Sequence, residues 1–251
     1  MKQNANKDER TLMDAMKPHG QALLDYYGGD TSVEMILERD DGLQVRLPVS
    51  VFFRTPDTFF PLEDAAIELC KGRVLDIGAG TGLHALALQE RGHTVTALDI
   101  SPEAVDVMKR CGVMDVRIGD IFRFPPEPFD TLLLLGHGIG MVENLAGLDR
   151  FLKRMKAFLE PDGQLLINSM DVTVTDDPQH LMYHQSNIQA CRYAGEIRLR
   201  ILYKDLVGDW YSWLHVDADT LEKHGAEFGW KTDVIAHEVD GNYLARLTVG
   251  S

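Results

Sequence analysis

The chain has no apolar run approaching the ~18 residues that a membrane-spanning helix requires, which argues against a helical membrane protein. It is also poor in cysteine. Cys70, Cys111 and Cys191 lie far apart and form no CxxC pair, so they read as reduced packing thiols in a cytoplasmic protein. Met1 to Arg10 is polar and charged with no hydrophobic segment behind it, so no secretory leader is expected. Positive charge is scarce, with 25 Lys and Arg against 39 Asp and Glu, a formal net charge of −14. A nucleic acid is repelled by such a surface unless one face concentrates the basic residues. The densest basic group, Lys153, Arg154 and Lys156, falls on what reads as the solvated side of an amphipathic helix. Neither nucleic acid nor membrane is expected as a partner; the oligomeric state is left open. Internal repeats and low-complexity tracts are absent.

What is present suits one decorated domain. The 251 residues are 45% apolar and 25% charged, ordinary values for a globular chain. Residues 1–10 read as a mobile arm, followed by a short helix from Pro18 to Tyr27 that Gly28-Gly29 stops. Val33, Met35 and Leu37, then Leu43, Val45 and Leu47, alternate with polar neighbours around Asp40-Asp41-Gly42, a hairpin pattern. Pro61 suits the first position of a helix to about Cys70. Residues 1–60 are taken as an N-terminal extension packing on a core of residues 61–251.

The core is arranged around Arg73-Val-Leu-Asp-Ile-Gly-Ala-Gly-Thr-Gly82. A buried strand, a tight glycine bend and the apolar helical run from Leu83 to Leu88 follow in direct succession. Such a bend lets a ligand touch backbone in front of a helix N-terminus. Thr94–Leu98 is a second apolar run ending in Asp99. Ser101-Pro102 starts a helix that stops near Gly112, and Val116–Ile118 leads to Gly119-Asp120. Phe129–Leu135 ends at Gly136-His137-Gly138. Leu148–Leu159 is amphipathic, and Gln164–Asn168 reads as the next strand. Continuous apolar strands separated by helices predict a doubly wound, mostly parallel sheet buried on both faces. Asp171–Ala190 reads as a long irregular loop. Residues 196–216 read as an inserted hairpin turning at Val207-Gly208-Asp209, and Asp219 with Glu222 as a helix start. Lys231–Glu238 and Tyr243–Val249 flank Asp240-Gly241-Asn242 as a terminal antiparallel pair.

Two families share this opening, with Asp99 in both meeting ribose hydroxyls. The dinucleotide pattern GxGxxG/A places Leu83 where its last small residue belongs. Asp76 stands where an acid would repel a pyrophosphate but help hold a cationic amino-acid tail. Val74-Leu-Asp-Ile-Gly-Ala-Gly-Thr-Gly82 instead resembles the first motif of the class I S-adenosylmethionine-dependent methyltransferases. Asp99 matches that family's second motif and Gly119-Asp120-Ile121 its third. Phe129–Leu135 resembles the fourth, and Leu159-Glu-Pro-Asp-Gly163 the turn before strand five. The resemblance implies a Rossmann-like, seven-stranded sheet with an antiparallel last strand and S-adenosylmethionine as cofactor. It implies that Asp76, Gly78, Gly80, Asp99, Ile100, Asp120, Ile121 and Gly136 line the cofactor, with Asp120 at the adenine amino group and Ile121 against the ring.

Departures narrow the chemistry. Gly136-His137-Gly138 replaces the Asn/Asp-Pro-Pro-Tyr/Phe box of enzymes that methylate planar nitrogens. Asn168 and Ser169 stand where metal-dependent enzymes carry carboxylates, so no metal is expected. A small-molecule acceptor, methylated on oxygen or nitrogen, is the expected substrate class. His137 is the candidate base, its alternative being a loop histidine bonding backbone. Arg54, Asn144, Tyr183, Trp210 and Trp213 are candidate acceptor-side residues. Four have a plainer reading: Arg54 pairing with Asp57, Asn144 capping a helix, the tryptophans packing the hairpin; Tyr183 falls in the long loop, read as part of a lid. Nicotinamide-dependent oxidoreduction and non-catalytic binding of S-adenosylmethionine are the competing functions.

Overall fold

The computed structural model describes residues 2–250, with side chains from Leu12 onward. Helix α1 spans Lys2–Tyr27, longer than the arm and short helix read from the sequence; Met1 lies outside the described residues. Pro18 sits inside it, at a cost of about 3 kcal/mol for an interior proline. Ala15, Pro18 and Ala22 recur at i, i+3 and i+7 and are buried, and this stripe offsets the break. β1 (Glu34–Arg39) and β2 (Gln44–Pro48) form the expected hairpin, turning where Gly42 takes φ +88°. Two 3-10 turns, Val49–Phe53 and Pro56–Thr58, carry the aromatic segment. Helix α2 (Pro61–Leu69) starts on its proline as predicted.

Strands and helices then alternate: β3 (Arg73–Ile77), α3 (Leu83–Glu90), β4 (Thr94–Asp99), α4 (Pro102–Cys111), β5 (Asp115–Ile118), β6 (Phe129–Leu134), α5 (Leu145–Met155) and β7 (Leu159–Met170). Local chemistry sets the boundaries. Ser101 Oγ accepts the Ala104 N–H at 3.2 Å to start α4, and Gly112 at φ +98° ends it. Val74, Leu75 and Leu132 to Leu134 have no exposed surface, the expected state of strands covered on both faces.

The later chain departs from expectation in five places. Helix α6 (Pro178–Gln189) replaces the irregular loop, because Asp177 caps it, accepting the Gln179 N–H at 2.7 Å, with Pro178 at the first position. β8 (Glu196–Tyr203) turns at Lys204 (φ +51°), not at Gly208, into the short β9 (Leu206–Val207), and β10 (Tyr211–Leu214) follows. β8 also pairs with β1, so the insertion extends the first hairpin into a five-stranded sheet, order β10-β8-β1-β2 with β9 on β8. Helix α7 (Ala218–Glu227) is capped by Asp217, whose carboxylate accepts the Thr220 N–H at 2.8 Å, two residues before the predicted start. Cys191 is exposed after α6 and is not a packing thiol.

β11 (Trp230–His237) and β12 (Asn242–Val249) complete a seven-stranded sheet, order β11-β12-β7-β6-β3-β4-β5. β12 runs antiparallel to β7 and β11, while β3–β6, β6–β7 and β4–β5 are parallel. This is the doubly wound, Rossmann-like α/β arrangement with antiparallel closing strands. Among the described residues no helix is long and apolar enough to cross a membrane.

The chain divides into two compact units. The first comprises Met1–Phe59, Gly78–Phe124 and Arg198–Tyr211; the second comprises Phe60–Ile77, Pro125–Ile197 and Ser212–Ser251. In the first unit Ala22 and Leu23 of α1, Met35 of β1, Ala104 and Val107 of α4 and Ile201 of β8 share one buried core. Burying such side chains stabilises by about 1.5–3 kcal/mol for each large one. The second unit is built on β7, fully buried from Leu165 to Ile167, between β6 and β12.

Candidate active site

In the first unit the glycine bend is fastened to the end of β4. The Gly78 and Ala79 N–H groups both donate to the Leu98 carbonyl, at 2.8 and 3.1 Å. Gly78, Gly80 and Gly82 take φ of +73°, +58° and +80°, the left-handed region that disfavours any Cβ. Gly80 and Gly82 serve different ends. A Cβ on Gly82 would lie 2.6 Å from Val113 Cγ2, so that glycine permits close packing; one on Gly80 would meet no atom within 4 Å. The bend therefore has open space beside Gly80.

The Gly80 N–H donates to Asp99 Oδ2 at 2.8 Å, and the Ser101 N–H to Asp99 Oδ1 at 2.8 Å. Burial raises the Asp99 carboxyl above its ordinary value, with the bonds from Ser101, Gly80 and Ile100 opposing. The Gly119 N–H donates to the Asp99 carbonyl at 2.9 Å, which ties the third motif to the second. Asp120 Oδ1 accepts the Phe122 N–H at 2.9 Å, and Ile121 is 3% exposed. One unit thus gathers Gly78, Gly80, Asp99, Ile100, Asp120 and Ile121.

Two of the acceptor-side candidates also fall in this unit, with other attachments. Arg54 donates from Nε to the Val51 carbonyl at 2.9 Å and from Nη1 to Thr58 at 3.3 Å, bracing its own turn. Trp210 lies under the guanidinium groups of Arg200 and Arg198, 4.6 and 5.8 Å from the ring centroid. His84 is buried with its ring 5.5 Å from that of Phe59, a packing position.

In the second unit Asp76 is buried on β3. After β6, Gly136 and His137 both have φ +59°, and a Cβ on Gly136 would meet nothing within 4 Å. His137 is not a glycine, so its left-handed backbone carries strain. Its N–H donates to Asn168 Oδ1 at 3.1 Å, and Asn168 Nδ2 donates to the Tyr243 carbonyl at 3.1 Å. Asn168 therefore anchors the turn between β6 and the terminal strand. The His137 Nδ1 is buried with no hydrogen-bond partner among the described residues. Burial lowers the pKa of His137, while Asp240 draws it back in part.

His215 stands beside it, ring centroids 5.3 Å apart at an interplanar angle of 82°. Sequence reading missed this residue; a lone histidine beyond a strand, far from His137 along the chain, gives no pattern. Trp213 packs on Gly140, where an added Cβ would lie 2.0 Å from the indole. Tyr183 and His184 are buried on α6. Asn144 caps α5, its Oδ1 accepting the Gly147 N–H at 2.9 Å, so the plainer reading of that residue is the one its geometry bears out.

Glycine bend, strand-ending acids and sheet order together define a class I, nucleoside-binding α/β fold. A methyltransferase-domain family model matches residues 75–167. A SAM-dependent methyltransferase from Bacteroides fragilis, solved with S-adenosyl-L-homocysteine, is 36% identical. The match covers 94% of this chain and 96% of that one, with a TM-score of 0.83. An uncharacterized methyltransferase from Staphylococcus carnosus is 28% identical over 185 residues, 69% of this chain and 84% of its own. A ubiquinone biosynthesis O-methyltransferase from Xylella fastidiosa is 30% identical over 116 residues, 43% of this chain and 46% of its own. The chain belongs to the class I S-adenosylmethionine-dependent methyltransferases: it is an enzyme and S-adenosylmethionine is its cofactor. Nicotinamide chemistry and a purely non-catalytic role are set aside by these findings.

Proposed function

We propose that this methyltransferase acts on a small-molecule acceptor at oxygen or nitrogen. Gly78 and Gly80 would let the cofactor approach backbone, and Asp99, with Ile100 beside it, would hold the ribose hydroxyls. Asp120 would meet the adenine amino group and Ile121 its ring, while Asp76 and Gly136 would serve the methionine end. The residues fit the group: open space lies beside Gly80, and Asp99 is a carboxylate oriented by two backbone donors. That pairing of Gly80 with Asp99 is the observation that carries the reading.

When bound, S-adenosylmethionine would supply an electrophilic sulfonium methyl group for in-line transfer to the acceptor atom. His137 would accept the proton the acceptor gives up, since burial lowers the pKa of its imidazole and its Nδ1 is without a partner among the described residues. The strongly negative chain disfavours nucleic acid as acceptor. The partial likeness to an O-methyltransferase of ubiquinone biosynthesis supports oxygen as the atom methylated.

The test is transfer of a labelled methyl group to a metabolite extract, beside calorimetry with S-adenosylhomocysteine. Asp99→Ala should lose both binding and transfer. His137→Asn should keep binding and lose transfer by about 100-fold, the lower end for a missing proton acceptor. Label found only in protein, or undiminished transfer by Asp99→Ala, would refute the proposal.

A further inference from the structure

The second unit holds a half-buried imidazole to which neither the cofactor residues nor the packing of the sheet gives a task. His215, just beyond β10, presents its ring to that of His137 edge to face, at 5.3 Å and 82°. The Nδ1 atoms of both rings are buried and without a hydrogen-bond partner among the described residues. Two orphaned polar atoms cost free energy, so a merely structural pair would be better served by apolar side chains.

The backbone holds this pair firmly. The His215 N–H donates to the Gly195 carbonyl at 2.9 Å, and a Cβ on Gly195 would collide with the His215 carbonyl at 1.9 Å. The next residue, Val216, donates its N–H to Ser169 Oγ at 3.1 Å, and its carbonyl accepts the Tyr243 hydroxyl at 2.8 Å. On the other side, Asn168 fixes His137, and Gly140 admits Trp213. β7, β10 and β12 therefore each contribute to the placement of two rings far apart in the chain.

We propose that His215 is a positioning residue for methyl transfer, holding the His137 imidazole edge-on and confining the acceptor's proton to that ring. The proposal rests on His137 as the proton acceptor. In the step the acceptor's O–H or N–H bond breaks, its electrons stay on the acceptor atom, and the proton bonds a free imidazole nitrogen of His137 before passing to solvent. Charge on both rings at once is resisted. The charged and titratable groups acting on the pair and its neighbour Tyr243 are Asp240 of the β11–β12 turn, His184 of α6, Asp171 after β7, and Asp217 and Tyr193. Burial, then His137 and His184, push His215 down to about 3, whereas Asp240 favours the proton on His137.

The experiment is NMR of the whole chain, with ring-labelled histidine and S-adenosylhomocysteine present. His215→Ala should turn the single set of His137 ring nitrogen signals into a mixture of tautomers. His215→Phe, which keeps an edge-on ring, should restore the single set. His137→Phe should raise the midpoint of the His215 titration by about 0.5 unit or more, the size of a few-fold change in proton affinity. This last variant reads the same coupling if His215→Ala fails to fold. His137 signals unchanged in His215→Ala, no restoration by Phe, or a His215 midpoint indifferent to His137→Phe would each overturn the proposal. Loss of the His137 role would show separately, as full methyl transfer by His137→Asn while the unsubstituted protein still shows the ring coupling.

Discussion

The glycine bend with Asp99 and the turn that carries His137 handle polar groups in opposite ways. Around Asp99 the carboxylate receives N–H groups from Gly80 and Ser101, and the neighbouring Asp120 receives that of Phe122. Around His137 two buried ring nitrogens are left without partners and the backbone is strained. The first is a satisfied arrangement; the second leaves polar capacity unspent. If the proposed roles hold, binding a cofactor and moving a proton ask for different local energetics within one enzyme.

Substitutions can break that contrast. The largest effect is expected from Gly80→Val. The open space beside Gly80 admits the side chain, but φ +58° does not, and a β-branched residue there would fill the cradle. S-Adenosylhomocysteine affinity should fall by more than about 100-fold in calorimetry, beyond the ~1–2 kcal/mol of left-handed strain alone.

Next is Asp99→Asn, which removes a charged acceptor worth about 1.5–3 kcal/mol, or roughly 10- to 150-fold in affinity. The pH dependence has a definite sign. Burial raises the Asp99 carboxyl above its ordinary value, and in the proposed role its ionised form would hold the ribose hydroxyls. Affinity in the wild type should therefore decline on acidification through that raised pKa, and the Asn variant should show a flatter profile.

Gly140→Ala sharpens the other side. Its Cβ, 2.0 Å from the Trp213 indole, should displace that ring and lower stability by about 1–3 kcal/mol through overpacking. Cofactor affinity should change little. A fall in S-adenosylhomocysteine affinity as steep as that of Asp99→Asn would erase the division of labour between the two regions.

The smallest effect is expected for Asn144→Ala. Loss of the α5 cap should cost about 1 kcal/mol, a drop of roughly 2–4 °C in Tm for a chain of this size. Methyl transfer should persist, because the Asn144 side chain serves the Gly147 N–H.

Legibility in the sequence follows the range of the interactions. Asp99, Gly80 and the start of α4 were readable because a strand, a bend and a cap are set by neighbours along the chain. Helix α6 was equally local, signalled by Asp177-Pro178, yet its apolar spacing is weak and its exposed Leu181, Met182 and Ile188 obscure the pattern. Arg54, Trp210 and Asn144 were named for chemistry that their residue types permit. Their partners in the structure include carbonyls, guanidinium groups and a helix N-terminus. Residue type alone does not distinguish these from a bound acceptor.

The amino-acid order by itself determined the alternation of strands and helices, the glycine bend and the acids that end β4 and β5, since backbone sterics and hydrophobic period act within a few residues. Only the tertiary structure decided that β8 joins β1, that Trp213 rests on Gly140, and that His215 meets His137. Those pairings bring together segments far apart in the chain, and their stability comes from burial and hydrogen bonds that exist only once distant strands are in register.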